Sequence, residues 1–283
     1  MKLLTLNTHS LQEENYFRKL QEFAAYVSKE APDIIAMQEV NQSQSDPLAD
    51  EELLSGYVAC DANSVPVRMD NHAAQVAKYL RNAGLNVSWT WISGKVGYGK
   101  YDEGMALMSL NGAITEVESF YISQIQDYQN WKTRKVLGIK TEHCEDWFYT
   151  VHMGWWDDEE EPFANQWNVF QSYLEEKRNS GCVWLMGDFN SPAQVAGQGY
   201  DQILASGWKD TYLMAEEKDD GITVPGVIDG WRDKLKDDSS EIHGMRIDHI
   251  WCSQKKDIQT SYVVFNGKQE PVVSDHFGVM VIY

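Results

Sequence analysis

The sequence predicts an α/β protein, because short apolar strands alternate with an amphipathic helix near its start. Residues 2–6 and 33–37 are apolar runs of strand length, and residues 16–27 between them carry apolar side chains at helical spacing. Strand, helix and strand in this order are typical of an α/β sheet layer. Farther along, Val183–Met186 is too short for a helix and stops at Gly187, which predicts another buried strand.

The remaining elements follow from the same patterns. Further strands are expected over residues 87–92, 105–110, 114–122, 133–141, 147–151, 246–252 and 276–283. Further helices are expected over residues 73–80, ended by Gly84, over residues 163–174, and over residues 202–205, ended by Gly207. Residues 41–56 and 219–243 are polar and are predicted to be loops. No repeat or linker interrupts the sequence, so a single domain over residues 1–283 is expected.

Composition limits the partners. Lys and Arg total 24 against 43 Asp and Glu, which gives a formal charge of −19 over 283 residues. That charge opposes binding to nucleic acid and to anionic membranes, so neither is an expected partner. A small anion can still bind where a cleft concentrates cationic donors. No obligate protein partner is evident from the sequence.

Cysteine usage and hydropathy favour a cytoplasmic protein. The four cysteines form no CxxC pair and are too sparse for a disulfide scaffold, which favours free thiols in a reducing compartment; they are Cys60, Cys144, Cys182 and Cys252. The N-terminal apolar run is too short for a signal peptide. The sequence also contains no run of about 18 apolar residues that would predict a membrane span.

Polar and ionisable side chains repeatedly follow the predicted strands. Asp188 and Asn190 come directly after Gly187, a pattern that taken alone is also consistent with an ordinary turn. Nine residues share this position at or beside a strand end: Asn7, Glu39, Glu103, His152, Asp188, Asn190, Asp248, Asp275 and His276. This placement is expected of a site at the carboxyl edge of the strands. Oxygen ligands without paired cysteines or an HExxH motif suit a hard ion such as Mg²⁺ better than zinc.

The order of these motifs resembles the endonuclease/exonuclease/phosphatase superfamily, which includes deoxyribonuclease I, neutral sphingomyelinases and inositol-polyphosphate 5-phosphatases. The matching segments span the chain: Leu6-Asn7, Gln38-Glu39, His152, Gly187-Asp188-Phe189-Asn190, Arg246-Ile247-Asp248-His249 and Ser274-Asp275-His276-Phe277-Gly278. The resemblance implies a four-layered α/β sandwich, with two mixed β-sheets packed face to face and helices outside. It also implies a metal-dependent phosphoric ester hydrolase.

The resemblance implies a metal site as well. Glu39, with Asn7 nearby, would hold Mg²⁺, or alternatively Mn²⁺, and Asp275 would belong to the same end of the site. His9 and Glu103 are expected as supporting residues, Glu103 by orienting a catalytic histidine.

Catalytic roles carry over in the same way. Asp188 would orient and deprotonate the attacking water. His276, paired with Asp248, and His152 would hydrogen-bond the phosphoryl oxygens as negative charge accumulates, and Asn190 would help to fix the phosphate. Phosphoryl transfer needs these components: an in-line nucleophile, a metal on the charged oxygens and preorganised donors.

The catalytic motifs do not specify which phosphate ester is cleaved, so the substrate has to be inferred from the residues around the site. Trp155 and Trp156 closely follow the histidine at position 152 and are candidate stacking platforms, with core packing as the competing interpretation. Arg134 is a candidate phosphate donor because a guanidinium binds phosphate bidentately; a solvated strand end is the alternative. Trp231 and Arg232 lie in a loop that suits sugar hydroxyls or a plain surface equally.

Several segments are also similar to the maltose 6'-phosphate phosphatases of Gram-positive bacteria. These segments are Asn7-Thr8-His9-Ser10, Tyr101-Asp102-Glu103-Gly104, Asn130-Trp131-Lys132-Thr133-Arg134-Lys135, Gly154-Trp155-Trp156-Asp157 and Asp229-Gly230-Trp231-Arg232-Asp233. This similarity implies that the substrate is a small phosphorylated sugar, a disaccharide 6'-phosphate such as maltose 6'-phosphate. It also implies a role in carbohydrate metabolism.

Three alternatives remain at this stage. The first is a metal-dependent endonuclease or exonuclease, because acidic nucleases exist in the superfamily. The second is a sphingomyelinase-like lipid hydrolase, although the sequence has neither a secretion signal nor an apolar surface hairpin. The third is a carbohydrate-binding protein without chemistry, which would have no use for Asp188 beside His276.

Overall fold

The structure, a computed structural model, describes residues 1–61, 65–226 and 244–283. The strands are β1 (Lys2–Asn7), β2 (Ile34–Ser43), β3 (Ser88–Gly97), β4 (Tyr101–Ser109), β5 (Ile114–Tyr121), β6 (Lys135–Thr141), β7 (Cys144–His152), β8 (Val183–Asp188), β9 (Lys209–Asp210), β10 (Glu217–Lys218), β11 (Asp248–Cys252), β12 (Thr260–Val264) and β13 (Gly278–Ile282). The helices are α1 (Tyr16–Glu30), α2 (His72–Asn82), α3 (Phe163–Ser180), α4 (Gly199–Ala205) and α5 (Thr211–Met214), and Ser10–Gln12 form a 3-10 turn.

These strands form two mixed sheets. The first has the order β10-β12-β13-β1-β2-β4-β3, and the second has the order β5-β6-β7-β8-β11-β9. β1 and β2 pair in parallel within the first sheet, and β7 and β8 pair in parallel within the second. A parallel neighbour requires a crossover connection, and α1 and α3 provide these two crossovers.

Three apolar layers separate four layers of structure, as predicted. The middle layer packs the two sheets against each other, with Ala36 and Leu107 from the first facing Phe148 and Met186 from the second. A second layer packs α1 and α2 on the outside of the first sheet, and a third packs α3 on the outside of the second. β1 is buried on both faces, as a central strand covered on both sides should be. None of the helices in the described ranges is long and apolar enough to cross a membrane.

Two predictions about strands were incomplete. β2 was expected to end at Met37, but it continues to Ser43 across a β-bulge between Met37 and Val40. A bulge interrupts the alternation of side chains on which sequence patterns depend, so the extension was not apparent. β12 was not predicted at all. The expected loop at residues 219–243 is described only up to residue 226, and the rest of it lies outside the described residues.

Gly187 in β8 is a position where glycine is required. Its φ is +144°, and a Cβ added there would lie 2.1 Å from the backbone oxygen of Val151 on the neighbouring strand. Gly84, which follows α2 at φ +88° as predicted for a helix end, has open space where a Cβ would stand. A side chain at position 187 would therefore suffer both backbone strain and a clash, whereas a side chain at position 84 would suffer backbone strain alone.

We expect Gly187→Ala to destabilise the protein by roughly 3 kcal/mol or more, because the backbone of β7 or β8 must shift. Gly84→Ala, the matched control, should cost only about 1 kcal/mol from its positive φ. Urea denaturation followed by circular dichroism measures both. Equal losses in the two variants would contradict the clash.

His72 at the start of α2 is a buried, neutral histidine. Its side chain contacts Tyr16, with the hydroxyl 3.1 Å from Nδ1, and burial lowers the pKa of His72 from 6.5 to about 3. In the unfolded chain the same imidazole takes up a proton near pH 6.5. The unfolded state therefore binds more protons than the folded state below that pH, and stability falls as the pH falls from 6.5 toward 3.

His72→Gln should remove this component of the acid sensitivity. Between pH 6.5 and pH 5 the wild-type histidine costs about 2 kcal/mol of stability that the glutamine variant does not lose. The measurement is the free energy of unfolding in urea at both pH values. His143→Gln, at an exposed histidine, is the control and should keep the wild-type dependence. A His72→Gln variant that keeps it too would rule out the assignment.

Candidate functional site

Three ionisable side chains stand in a row across the second sheet because of strand register. The parallel pairing of β7 and β8 sets His152 opposite Asp188, and the antiparallel pairing of β8 and β11 sets Asp188 opposite Asp248. Directly opposed residues project from the same face of a sheet. The His152 Nε2 atom lies 3.7 Å from Asp188 Oδ2. The sequence predicted all three residues, and the register brings them together.

His276 reaches this row from the first sheet, just before β13. Its Nδ1 donates to Asp248 Oδ2 at 2.9 Å, and its Nε2 lies 3.9 Å from Asp188 Oδ2. Burial, the largest single effect, lowers the pKa of His276, but the carboxylates of Asp248, Asp188 and Asp275 together raise it to about 10. The ring is therefore a buried cation, oriented by Asp248 and turned toward Asp188.

Asn7, at the end of β1, joins the two sheets at the site. Its amide nitrogen donates to Glu39 Oε1 at 3.0 Å and to Asp188 Oδ2 at 3.2 Å, and its oxygen accepts from the His9 backbone. Glu39 stands in the bulge of β2 with φ +51°, a left-handed conformation that is uncommon for a glutamate. The bulge turns the carboxylate toward Asn7 and away from the strand's regular alternation.

Asn190 fixes the position of Asp188. Its backbone N–H donates to Asp188 Oδ1 at 2.8 Å, and its side-chain amide donates to the Met153 carbonyl at 2.9 Å. Asn190 also has a positive φ, +47°. Strained conformations that the surroundings hold in place tend to cluster at functional sites.

The electrostatics of the row suit proton transfer near neutral pH. Burial, followed by the nearby Asp248 carboxylate, raises the pKa of Asp188 to about 7. Burial, followed by the cations Arg134 and Lys95, lowers the pKa of His152 well below its ordinary value. The site therefore contains a carboxylate that can accept a proton, a neutral imidazole and the imidazolium of His276.

Carboxylates gather on the Glu39 side of the site. Burial, together with the carboxylates of Glu103 and Asp275, raises the pKa of Glu39. Asp275 is exposed, and its Oδ1 lies 3.8 Å from Nδ1 of His9. His9 also contacts Glu13 at 2.8 Å, and His9, Glu13 and Asp275 form a group that is close enough to share a metal ion. An accumulation of oxygen donors beside a half-buried carboxylate fits a divalent cation.

The other predicted residues have mixed environments. Arg134 is buried rather than solvated, and its guanidinium donates to the carbonyls of Trp131 and Thr133. Trp156 is half-buried, with its ring 6.0 Å from that of Phe163, so packing accounts for part of its surface.

Three further predictions stay predictions. Glu103, which is expected to orient His152, pairs with Lys95 at 2.8 Å. Trp155 is half-buried. Trp231 and Arg232 lie outside the described residues.

Sequence patterns missed two residues at the site, Lys95 and Glu13, and missed the contacts of Gln38, which they had included in a matching motif. Lys95 lies between glycines in the β3–β4 hairpin, and this Gly-Lys-Val-Gly segment was the available signal. Glu13 binds His9 and Lys19, but on the sequence it is one of many acids. Gln38 donates to Thr5 on the neighbouring strand β1 at 3.1 Å and, across the middle layer, to Thr150 of the second sheet at 2.8 Å. No local pattern contains the contact between the sheets.

A family model matches most of this chain. The Endonuclease/Exonuclease/phosphatase family model aligns with residues 4–276. A solved structure of an endonuclease/exonuclease/phosphatase family protein from Leptotrichia buccalis C-1013-b is 32% identical, with a TM-score of 0.82, and the match covers 100% of this chain and 98% of that one. The curated proteins give no significant sequence match.

Two more distant structures share the fold. A mannosyl-6-phosphatase from Bacteroides thetaiotaomicron VPI-5482 is 17% identical with a TM-score of 0.66, covering 100% of this chain and 98% of that one. The 3' phosphatase NExo from Neisseria, bound to a product DNA hairpin, is 19% identical with a TM-score of 0.61, covering 100% and 99%. The chain therefore belongs to the Endonuclease/Exonuclease/phosphatase family, whose members are typically phosphoric ester hydrolases and include both phosphatases and nucleases.

Proposed function

We propose that this protein is a Mg²⁺-dependent phosphomonoesterase that hydrolyses a sugar phosphate. The observation that carries the proposal is the row of His152, Asp188 and Asp248, completed by His276 from the opposite sheet. The row combines a base, a cation and a neutral donor within one cluster. That combination suits the transfer of a phosphoryl group to water.

Asp188 is the base in this proposal. A carboxylate whose pKa is raised to about 7 can accept a proton from water and still be deprotonated in a useful fraction at neutral pH. Its two oxygens are held by the Asn190 backbone and the Asn7 amide. Asp188 therefore orients the water along a fixed line to the phosphorus atom.

The two histidines bind the phosphoryl oxygens. His276 is held as a cation by Asp248, so its Nε2–H can donate to an oxygen whose negative charge grows in the transition state. His152 is neutral and donates from the other side of Asp188. Asn190 contributes by tying the end of β8, and with it Asp188, to the segment that follows β7.

Glu39 and Asp275 would hold Mg²⁺, or alternatively Mn²⁺, with Asn7 fixing the Glu39 carboxylate. The ion, when bound, neutralises charge on the phosphoryl and leaving oxygens. The fit rests on the raised pKa of Glu39, because neighbouring carboxylates that repel each other are stabilised by a divalent cation. His9, whose pKa its carboxylate neighbours raise to about 9 against the lowering effect of burial, supports this acidic side.

A small phosphorylated sugar is the proposed substrate. The formal charge of −19 opposes long polyanions, whereas a small anion needs only local donors such as Arg134. A mannosyl-6-phosphatase has the same fold, and Trp155 and Trp156 offer rings for a sugar face. A disaccharide 6'-phosphate such as maltose 6'-phosphate, encountered in the cytoplasm, remains the specific prediction, with Trp231 and Arg232 as further candidate contacts.

A nuclease is the second candidate, because a structural neighbour is a 3' phosphatase that binds a DNA hairpin. A phosphate-release screen separates the two. We expect maltose 6'-phosphate and related sugar phosphates to release phosphate with Mg²⁺ and not with EDTA, faster than inositol phosphates or nucleotides. Faster nicking of plasmid DNA than hydrolysis of any sugar phosphate would decide for the nuclease.

Asp188→Asn tests the base. The variant keeps the shape but cannot accept the proton, so kcat should fall by roughly 10²- to 10⁴-fold while the melting temperature stays near that of the wild type. Asp201→Asn, at an exposed aspartate of α4, is the matched control and should keep wild-type kcat. Near wild-type phosphate release by Asp188→Asn would remove Asp188 from the mechanism.

A further inference from the structure

A small cleft of about 20 Å³ lies beside His152, between the β3–β4 hairpin and the start of β6. Three cationic side chains line it, Lys95, Arg134 and Lys135, against the single carboxylate of Glu103. The chain as a whole has a formal charge of −19, so this cleft is locally positive on a protein that is otherwise strongly negative. Clefts with low-dielectric walls concentrate the field of such charges.

Two of these cations have unused donors. Arg134 is only 8% exposed, and its Nε has no hydrogen-bond partner among the described residues. The ammonium of Lys95 has three N–H donors, and within the described residues only Glu103 pairs with it, at 2.8 Å. Lys135 differs, since it donates to the Ser93 carbonyl and lies over the Tyr121 ring. Buried donors without partners are rare in native proteins, so the Nε of Arg134 stands out as a donor available to a ligand in the cleft.

The position of Lys95 is fixed by its counter-ion. Gly97 lies against Glu103, and a Cβ at Gly97 would stand 2.4 Å from Glu103 Oε2. The glycine therefore makes room for the carboxylate to pair with Lys95. Burial, followed by the nearby Arg134 cation, lowers the pKa of Lys95. An anion entering the cleft would offset both effects.

The cleft adjoins the proposed reaction centre. His152 belongs to both, and the charges of Asp188 and Glu39 act on Arg134. A phosphoryl group held between His152 and His276 can thus turn a remaining oxygen toward Lys95 and Arg134. In a monoester that oxygen is unesterified and charged. In a diester one more oxygen carries a carbon substituent, which cannot accept these hydrogen bonds.

We propose, building on the phosphomonoesterase function above, that Lys95 and Arg134 form a pocket for the terminal oxygens of a phosphomonoester dianion and make the enzyme select monoesters over diesters. Glu103 holds Lys95 in place and limits the excess positive charge. A diester placed in the site would cover the buried donors with an uncharged group, and unsatisfied buried donors are costly. Lys95 and Arg134 are thus specificity-determining residues of the site.

Lys95→Met tests the pocket in the full chain with Mg²⁺. For p-nitrophenyl phosphate, kcat/KM should fall by roughly 10- to 100-fold, since a charge-assisted hydrogen bond is lost. For bis-p-nitrophenyl phosphate, kcat/KM should stay the same or rise. Lys100→Met is the control, because that lysine is exposed on the same hairpin with its ammonium over the Tyr101 ring. The double variant Lys95→Met/Glu103→Gln leaves no unpaired buried carboxylate and should show the same change in selectivity.

Binding to the metal-free protein gives a second readout. In EDTA, isothermal titration should show that inorganic phosphate binds the wild type and binds Lys95→Met about tenfold or more weakly, whereas dimethyl phosphate binds both poorly. An unchanged monoester-to-diester ratio and unchanged phosphate affinity in Lys95→Met would overturn the pocket and leave the proposed function standing. A wild type that hydrolyses neither ester would overturn the proposed function and the selectivity together, even if phosphate binds.

Discussion

The register of β7, β8 and β11 is the constraint on which the rest of the site depends. Because side chains alternate across a sheet, a slip of one residue in β8 would turn Asp188 from the middle layer to the layer beneath α3. Buried apolar residues on both faces of β8 oppose that slip: Trp184 and Met186 pack in the middle layer, and Val183 and Leu185 pack under α3. The core therefore sets the position of the reactive groups through ordinary packing.

Burial supplies the chemical character of these groups. Asp188 and His276 are both nearly inaccessible, yet their pKa values move upward for different reasons. Loss of water disfavours the charged form of Asp188, whereas a close carboxylate partner favours the charged form of His276. Both pKa values rise and keep their order, so Asp188, with a pKa of about 7, can accept a proton near neutral pH, while His276, with a pKa of about 10, stays protonated and remains a donor.

Local signals predicted several strands and the candidate residues at their ends, whereas the family resemblance implied the layers. Apolar runs that end in polar residues identified β1 and β8, and the order of motifs implied the two-sheet arrangement that the structure has. β12 was missed because five residues with mixed polarity, Thr260–Val264, give little periodicity. The bulge at Glu39 was missed since a left-handed residue in a strand depends on tertiary context.

Contacts between distant segments were the least predictable. Lys95 approaches His152 only because the β3–β4 hairpin folds against the start of β6, and its pairing with Glu103 is a cross-strand contact in the hairpin. Arg246 matched a family motif, but its guanidinium binds Asp210 at 2.8 Å, a residue from a two-residue strand that no pattern indicated. The fold brings such pairs together, and a short stretch of sequence contains no signal that would predict them.

The amide of Asn7, which spans carboxylates from both sheets, has a consequence for how the protein can vary. Glu39 and Asp188 are held at 3.0 and 3.2 Å from one nitrogen atom, so the distance between these two carboxylates depends on the distance between the sheets. A substitution in the core that changes the distance between the sheets would also change the distance between these carboxylates, even if it lies far from any reactive atom. Substitutions of apolar residues between the sheets are therefore expected to affect catalysis, so these residues are less free to change than other buried apolar residues.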